Sequence, residues 1–190
     1  MSIEDFEAKW LRCKRCPNLL EERHNVVLYR GHTNCPDVLF LGEAPGKVED
    51  AFGVPFKGPA GRLLNKLILE TLPEDRTMTY VITNIVCCLP LDADGKIRQP
   101  TSEEAENCSD RLFEFYERCL PSSVVLLGEV AKKYWNAHLA KRVGFPLPII
   151  HVYHPAYLLR QGESAGTVGF HTLAGKATVL KLRRFFKENF

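Results

Sequence analysis

No apolar run in this chain of 190 residues approaches the roughly 20 that a membrane-spanning helix needs, so a helical membrane protein is excluded. The opening stretch MSIEDFEAKWLRC starts with acids and has no apolar core, and a secretory signal is therefore not expected. Internal repeats and low-complexity linkers are also missing, which argues against an array or a tethered multidomain chain. Nor does charge of one sign dominate. Lys and Arg exceed Asp and Glu by only 2, too few to mark a nucleic-acid binder by net charge. Two segments, EVAKKYWNAHLAKR and KATVLKLRRFFKENF, are locally basic, and each reads either as a solvated helix face or as a phosphate footprint.

What is present suits one globular domain spanning residues 1–190, with 45% hydrophobic and 25% charged residues. A cytoplasmic protein, nucleoid-associated and acting as a monomer without membrane contact, is the expectation. β-branched apolar runs bounded by turn residues predict strands at NVVLY, DVLFLG, YVITN, SVVLLG and IIHVY. Helical periodicity predicts helices over Gly61–Thr71, Ser102–Leu120, Glu129–Leu139 and Thr172–Glu188, the second opened by a capping box from Thr101. Strands that read as continuous hydrophobic runs are buried on both faces, and their alternation with helices predicts a three-layer α/β/α sandwich around a mainly parallel sheet. Ligands of such folds bind beyond the carboxyl ends of the strands. GEAPG, Thr83-Asn84, Gly128 and the His-Pro pair at 154–155 fall there. LPLDADGKIRQPTSEE and RQGESAGTVG read as long polar loops.

Seven cysteines need an explanation in a chain expected in a reducing compartment. Cys13 and Cys16 form a C-x2-C pair; Cys88 ends a strand segment and Cys108 lies on the helix beyond the polar loop. Two ligands from a tight turn and two from separate elements can make a four-thiolate site, and spacing alone leaves zinc and an iron–sulfur cluster equally open. Cys35, Cys87 and Cys119 read as free thiols. The densest stretch of glycine is GEAPGKVEDAFGVPFKGPAGRLLNKL, where five glycines surround Glu43, Glu49 and Phe56. Such density implies that the backbone must approach something closely.

Taken together, GEAPGKVEDAFGVPFKGPAGRLL, YVITNIVCCLP, PTSEEAENC and YHPAYLLR resemble the family 4 uracil-DNA glycosylases, the iron–sulfur branch of that superfamily, from Cys13 to Arg160 and in the family's order. The resemblance implies that Cys13, Cys16, Cys88 and Cys108 hold a [4Fe–4S] cluster, with zinc the lesser alternative, and that the cluster ties the N-terminal segment to the 88–108 loop. It implies a monofunctional enzyme that flips uracil out of single- or double-stranded DNA and hydrolyses its N-glycosidic bond. Gly42, Ala44 and Gly46 would line the base pocket, their loop's backbone donors facing uracil and nearby phosphate. Phe56 would stack on the base, or else simply pack in the core. Asn84 would read the Watson–Crick edge, although an Asn at a strand end is more often a turn former. Glu49 would lie against C5, where thymine carries its methyl. His154 would donate to O2 as charge develops there. Lys57, Gly58 and Gly61 would contact DNA, with Tyr157, Leu158, Leu159 and Arg160 at the minor groove supplying a wedge.

Some positions depart from the family pattern. Where family 1 relatives carry a water-orienting aspartate this chain has Ala44, which leaves Glu43 as the nearest acid and favours a dissociative path. Lys57 stands where valine is frequent, Cys87 where lysine is frequent, and the tail after Arg160 fits poorly. Excision of another modified base and a non-catalytic DNA-binding subunit are the rival expectations.

Overall fold

The computed structural model describes residues 2–21, 23–72, 77–144 and 146–190. Its centre is a five-stranded sheet built from β1 (Tyr29–Gly31), β2 (Val38–Gly42), β3 (Tyr80–Asn84), β4 (Ser123–Leu127) and β5 (Ile149–Val152). The strand order is β1-β3-β2-β4-β5, antiparallel between β1 and β3 and parallel elsewhere. In β2 and β4 every residue is buried, as their unbroken apolar runs require. Alternate residues feed different layers. Leu39 and Leu41 join one core with Val81, Val124 and Leu126, while Val38 and Phe40 join the other with Ile82, Val125 and Leu127.

The first layer holds α1 (Ile3–Trp10), α4 (Ser102–Cys119) and α5 (Gly128–Tyr134), and the second holds α3 (Pro59–Thr71), α6 (Pro155–Arg160) and α7 (Leu173–Asn189). This is the expected α/β/α sandwich. In α4 the capping box forms as its sequence predicts, the Thr101 hydroxyl accepting from the Glu104 N–H at 3.1 Å and Glu104 accepting from the Thr101 N–H at 2.8 Å.

Several boundaries differ from expectation. Only Tyr29 of NVVLY enters the sheet. The preceding residues are hydrogen-bonded elsewhere: Val27 N–H donates to the Cys87 carbonyl at 2.7 Å and Asn25 N–H to the Asp50 carboxylate at 3.2 Å. The expected helix at 129–139 divides into α5 and a π-helical turn, Trp135–Leu139, that seats the buried Trp135 edge-on to Tyr116. Two six-residue helices, α2 (Lys47–Phe52) and α6, are too short to show a helical period in sequence.

The stretch between α6 and α7 is more ordered than its polarity suggests. Lys66 of α3 reaches under it, donating to the Ser164 carbonyl at 2.9 Å and to that of Gly169, with its ammonium 4.4 Å from the Phe170 ring centroid. Glu163 accepts from the N–H groups of His171 and Thr172 at 2.9 and 2.6 Å. Among the described residues no helix is long and apolar enough to cross a membrane.

Connectivity places the functional face. From β2 the chain crosses to β3 on one side; from β4 it crosses to β5 on the other. The carboxyl ends of β2 and β4 therefore flank a topological switch point, where open α/β sheets leave a crevice.

Candidate active site

At the end of β2, Gly42 is paired in register with Asn84 at the end of β3. A Cβ on Gly42 would stand 2.4 Å from Asn84 Oδ1 and 2.6 Å from Phe56 Cζ, so glycine here lets a carboxamide and an aromatic ring meet over bare backbone. Phe56 itself has φ +54, a left-handed conformation that costs energy in a non-glycine residue. It is accommodated because Gly61 lies beneath its carbonyl, where a Cβ would come within 1.6 Å of the oxygen. Opposite stands His154, its ring centroid 5.8 Å from that of Phe56.

Phe56, Asn84 and His154 line a cavity of about 440 Å³, and Gly42, expected on its wall, instead packs behind Asn84 and Phe56. Both carboxamide atoms of Asn84, only 1% exposed, are buried without a hydrogen-bond partner. An unpaired buried amide costs a few kcal/mol, and a donor and an acceptor side by side on a cavity wall define the complementary edge that would satisfy them. His154 caps α6, its Nδ1 accepting from the Ala156 N–H at 3.1 Å, which leaves the ring proton on Nε2. Burial, with the nearby Arg160 cation adding to it, lowers the His154 pKa to about 4. The imidazole is therefore neutral near pH 7 and can donate from Nε2. Glu43 is raised by the same burial, partly opposed by Arg160.

Glu43, Ala44, Gly46, Glu49, Phe56, Asn84, His154 and Arg160 of the expected set all reach the cavity wall. Others serve differently. The Glu49 carboxylate is taken up in bracing the loop, accepting from the N–H of Gly46 at 3.2 Å and of Gly58 at 2.7 Å. Those two amides are thereby spent, so neither offers a donor to uracil or phosphate. Gly58 and Gly61 are buried, the first beside the Glu49 carboxylate and the second beneath the Phe56 carbonyl. Leu158 is 0% exposed and packs in the second core. Tyr157 and Leu159 are half-buried against that core, and Tyr157 stacks on Tyr153 at 5.1 Å. Lys57 is exposed beside the Phe52 ring.

Five cavity residues lie outside the expected set: Pro45, Ala60 and Ala156 flank expected positions, whereas Ile97 and Arg98 come from a distant segment. That segment is the polar loop, closed by a bridge between Leu91 and Ile97 and held by an ion pair from Arg98 to the buried Glu104 at 2.5 Å. An isolated Ile in a polar loop was the available signal.

A profile of the uracil DNA glycosylase superfamily matches residues 30–173, which include every cavity residue named above. The chain belongs to this superfamily. It is 32% identical over 174 residues to the type-4 uracil-DNA glycosylase of Archaeoglobus fulgidus, covering 83% of each chain. It is 35% identical over 168 residues to that of Thermotoga maritima, again covering 83% of each. Crystalline wild-type SMUG2 of Pedobacter heparinus shares the fold at 16% identity, with a TM-score of 0.51 over 82% of this chain and 76% of the other.

The four cysteines singled out by spacing pack against one core. Cys16 opens a 3-10 turn, Pro17–Leu19, and Cys13, Cys88 and Cys108 approach from the end of α1, the β3–α4 loop and α4. Burial raises Cys88 to about 11, opposed by Arg23, which donates to its sulfur at 3.0 Å; Cys108 and Cys13 push it further up. Cys16 is raised by burial, with Cys108 and Cys13 again contributing. Cys108 is held below its ordinary range by a hydrogen bond from the buried Cys87 and by Arg111. Among the described residues no three His, Cys, Asp or Glu side chains are arranged as a closed metal site. The donor chemistry nevertheless fits a thiolate-ligated group: the four donors are all sulfurs, with guanidinium groups beside two of them.

Proposed function

We propose that this protein is a monofunctional uracil-DNA glycosylase acting in base-excision repair, as the names of its type-4 relatives suggest. The observation that carries the reading is the unpartnered carboxamide of Asn84 on the cavity wall. Uracil presents an N–H beside a carbonyl, and one amide side chain complements both. The base must leave the stack to reach this wall. Phe56 then covers one face of the ring. His154 donates from Nε2 to O2, where negative charge gathers as the bond to N1 breaks, and its neutrality keeps the donor without a competing base. The bonding pair departs with uracil, leaving an oxocarbenium-like sugar. Glu43, the cavity acid not spent on the loop, faces that cation and receives the proton of the capturing water. Arg160, near both Glu43 and His154, favours the developing anion.

Cys13, Cys16, Cys88 and Cys108 would hold a [4Fe–4S] cluster, whose contribution is structural: it ties the N-terminal segment to α4 and the loop before it. The enzyme would work as a monomer on DNA of the cytoplasm and nucleoid.

The test is release of uracil from a labelled oligonucleotide, single- and double-stranded, by anaerobically purified protein. Strand breakage only after alkali is expected, with Asn84→Ala lowering the rate about 10²-fold or more. Release of hypoxanthine, xanthine or a hydroxymethylated base but not uracil would sink the substrate assignment.

A further inference from the structure

Arg111 is a cation in an unusual place. It lies on α4 and is 1% exposed, among the largest fully buried side chains of the protein. Its Nη1 donates to the Thr83 hydroxyl at 3.0 Å, and its Nη2 donates to the carbonyls of Asn84 at 2.5 Å and Ile85 at 2.8 Å. The same nitrogen lies 3.7 Å from Cys108 Sγ. None of these partners is a carboxylate.

The carbonyls explain why a guanidinium is needed. The parallel ladder of β2 and β3 ends at Gly42 and Asn84. Beyond it, Ile85 and Val86 still give their N–H groups to the carbonyls of Gly42 and Glu43, at 2.9 and 3.1 Å. The carbonyls of Asn84 and Ile85 turn instead toward α4, where Arg111 is their hydrogen-bond donor among the described residues. Since the Asn84 carboxamide makes no hydrogen bond of its own, its direction is set by its backbone and by neighbours. Gly42 and Phe56 restrict it from above, and Arg111 holds the strand end from below. A fully desolvated guanidinium also needs a counter-charge, and the sulfur of Cys108 is the one potential anion among its hydrogen-bond partners.

We propose that Arg111 is a positioning residue that holds the end of β3 so that Asn84 faces the base, with the cysteine site as its counter-charge. The proposal rests on the reading of Asn84 as the base-contacting residue. It joins two places that the sequence keeps apart: the thiol at Cys108 and the amide at Asn84 share one side chain.

The experiment is a double-mutant cycle on the full chain, purified anaerobically, with rates compared at measured iron content. Arg111→Met should lower kcat/KM for uracil release about 10- to 100-fold, mostly through kcat, as expected when a reacting geometry loosens by about 1 Å. In an Asn84→Ala background the same change should cost less than about 3-fold, because the group it positions is gone. Iron content and visible absorbance should fall in Arg111→Met and persist in Arg111→Lys, which keeps the charge but not the fork. Should Arg111→Met fail to fold, Arg111→Lys takes its place in the cycle. Equal losses in both backgrounds would overturn this proposal alone, and so would full iron content in a folded Arg111→Met. An Asn84→Ala variant with undiminished activity would overturn the base-contacting reading and this proposal together.

Discussion

The cavity has two walls of different construction. One is made of strand ends, Asn84 backed by Gly42 and, after β5, His154, each fixed by the sheet or by a helix cap. The other is made of longer or more exposed pieces: Ile97 on a polar loop, 55% exposed, and Arg160 at the tip of α6. The first wall has no room to adjust, since a single added carbon at Gly42 would overlap two neighbours. The second can shift without disturbing the core. On the proposed function, base reading would fall on the rigid side and backbone contact on the compliant one, because a nucleobase edge has one geometry and a flipped strand has many.

Substitutions should separate the walls. Gly42→Ala strikes the rigid one: its new methyl must displace Asn84 or Phe56, and single-turnover excision should fall about 10²- to 10³-fold with the unfolding midpoint changed far less. An intermediate effect is expected at Arg160. Its charge pulls Glu43 down while burial pushes Glu43 up, so the acid limb of kcat/KM lies above the ordinary carboxylate range. Activity needs the carboxylate and is lost as pH falls through that raised value. Arg160→Ala should move the limb to higher pH, besides weakening DNA binding several-fold, whereas Glu43→Gln should abolish the limb. The smallest effect belongs to Ile97→Ala, less than about 3-fold in kcat/KM, since the side chain is half in solvent already. If Ile97→Ala matched Gly42→Ala, the distinction between the walls would collapse.

Much of this arrangement is legible in the sequence, for a physical reason. Continuous apolar strands announce a sheet covered on both faces, and ligand residues of such sheets collect where strands stop, so Asn84, His154 and the Gly42 loop could be found from position alone. What escaped reading depends on partners distant in the chain. The amides of Gly46 and Gly58 look free until Glu49 is seen to take both. Leu158 belongs to the wedge-like YLLR but turns inward on a helix too short to show its period. Arg111 sits in a charged helical stretch that reads as solvent-facing, and only the unpaired carbonyls of β3 draw it inside. Arg98 was hidden likewise, its partner Glu104 serving also as half of a capping box.

Lys66 carries a lesson about inheritance. Its ammonium is sheathed by carbonyls from a segment about a hundred positions further along, so neither partner can change independently. A descendant that shortened residues 164–169 would strand a cation beneath the segment joining α6 to α7. One that replaced Lys66 by an aliphatic residue would leave two carbonyls facing oil. Both changes must arrive together or nearly so, and sequences of this lineage should therefore gain or lose the loop and the lysine as a single character.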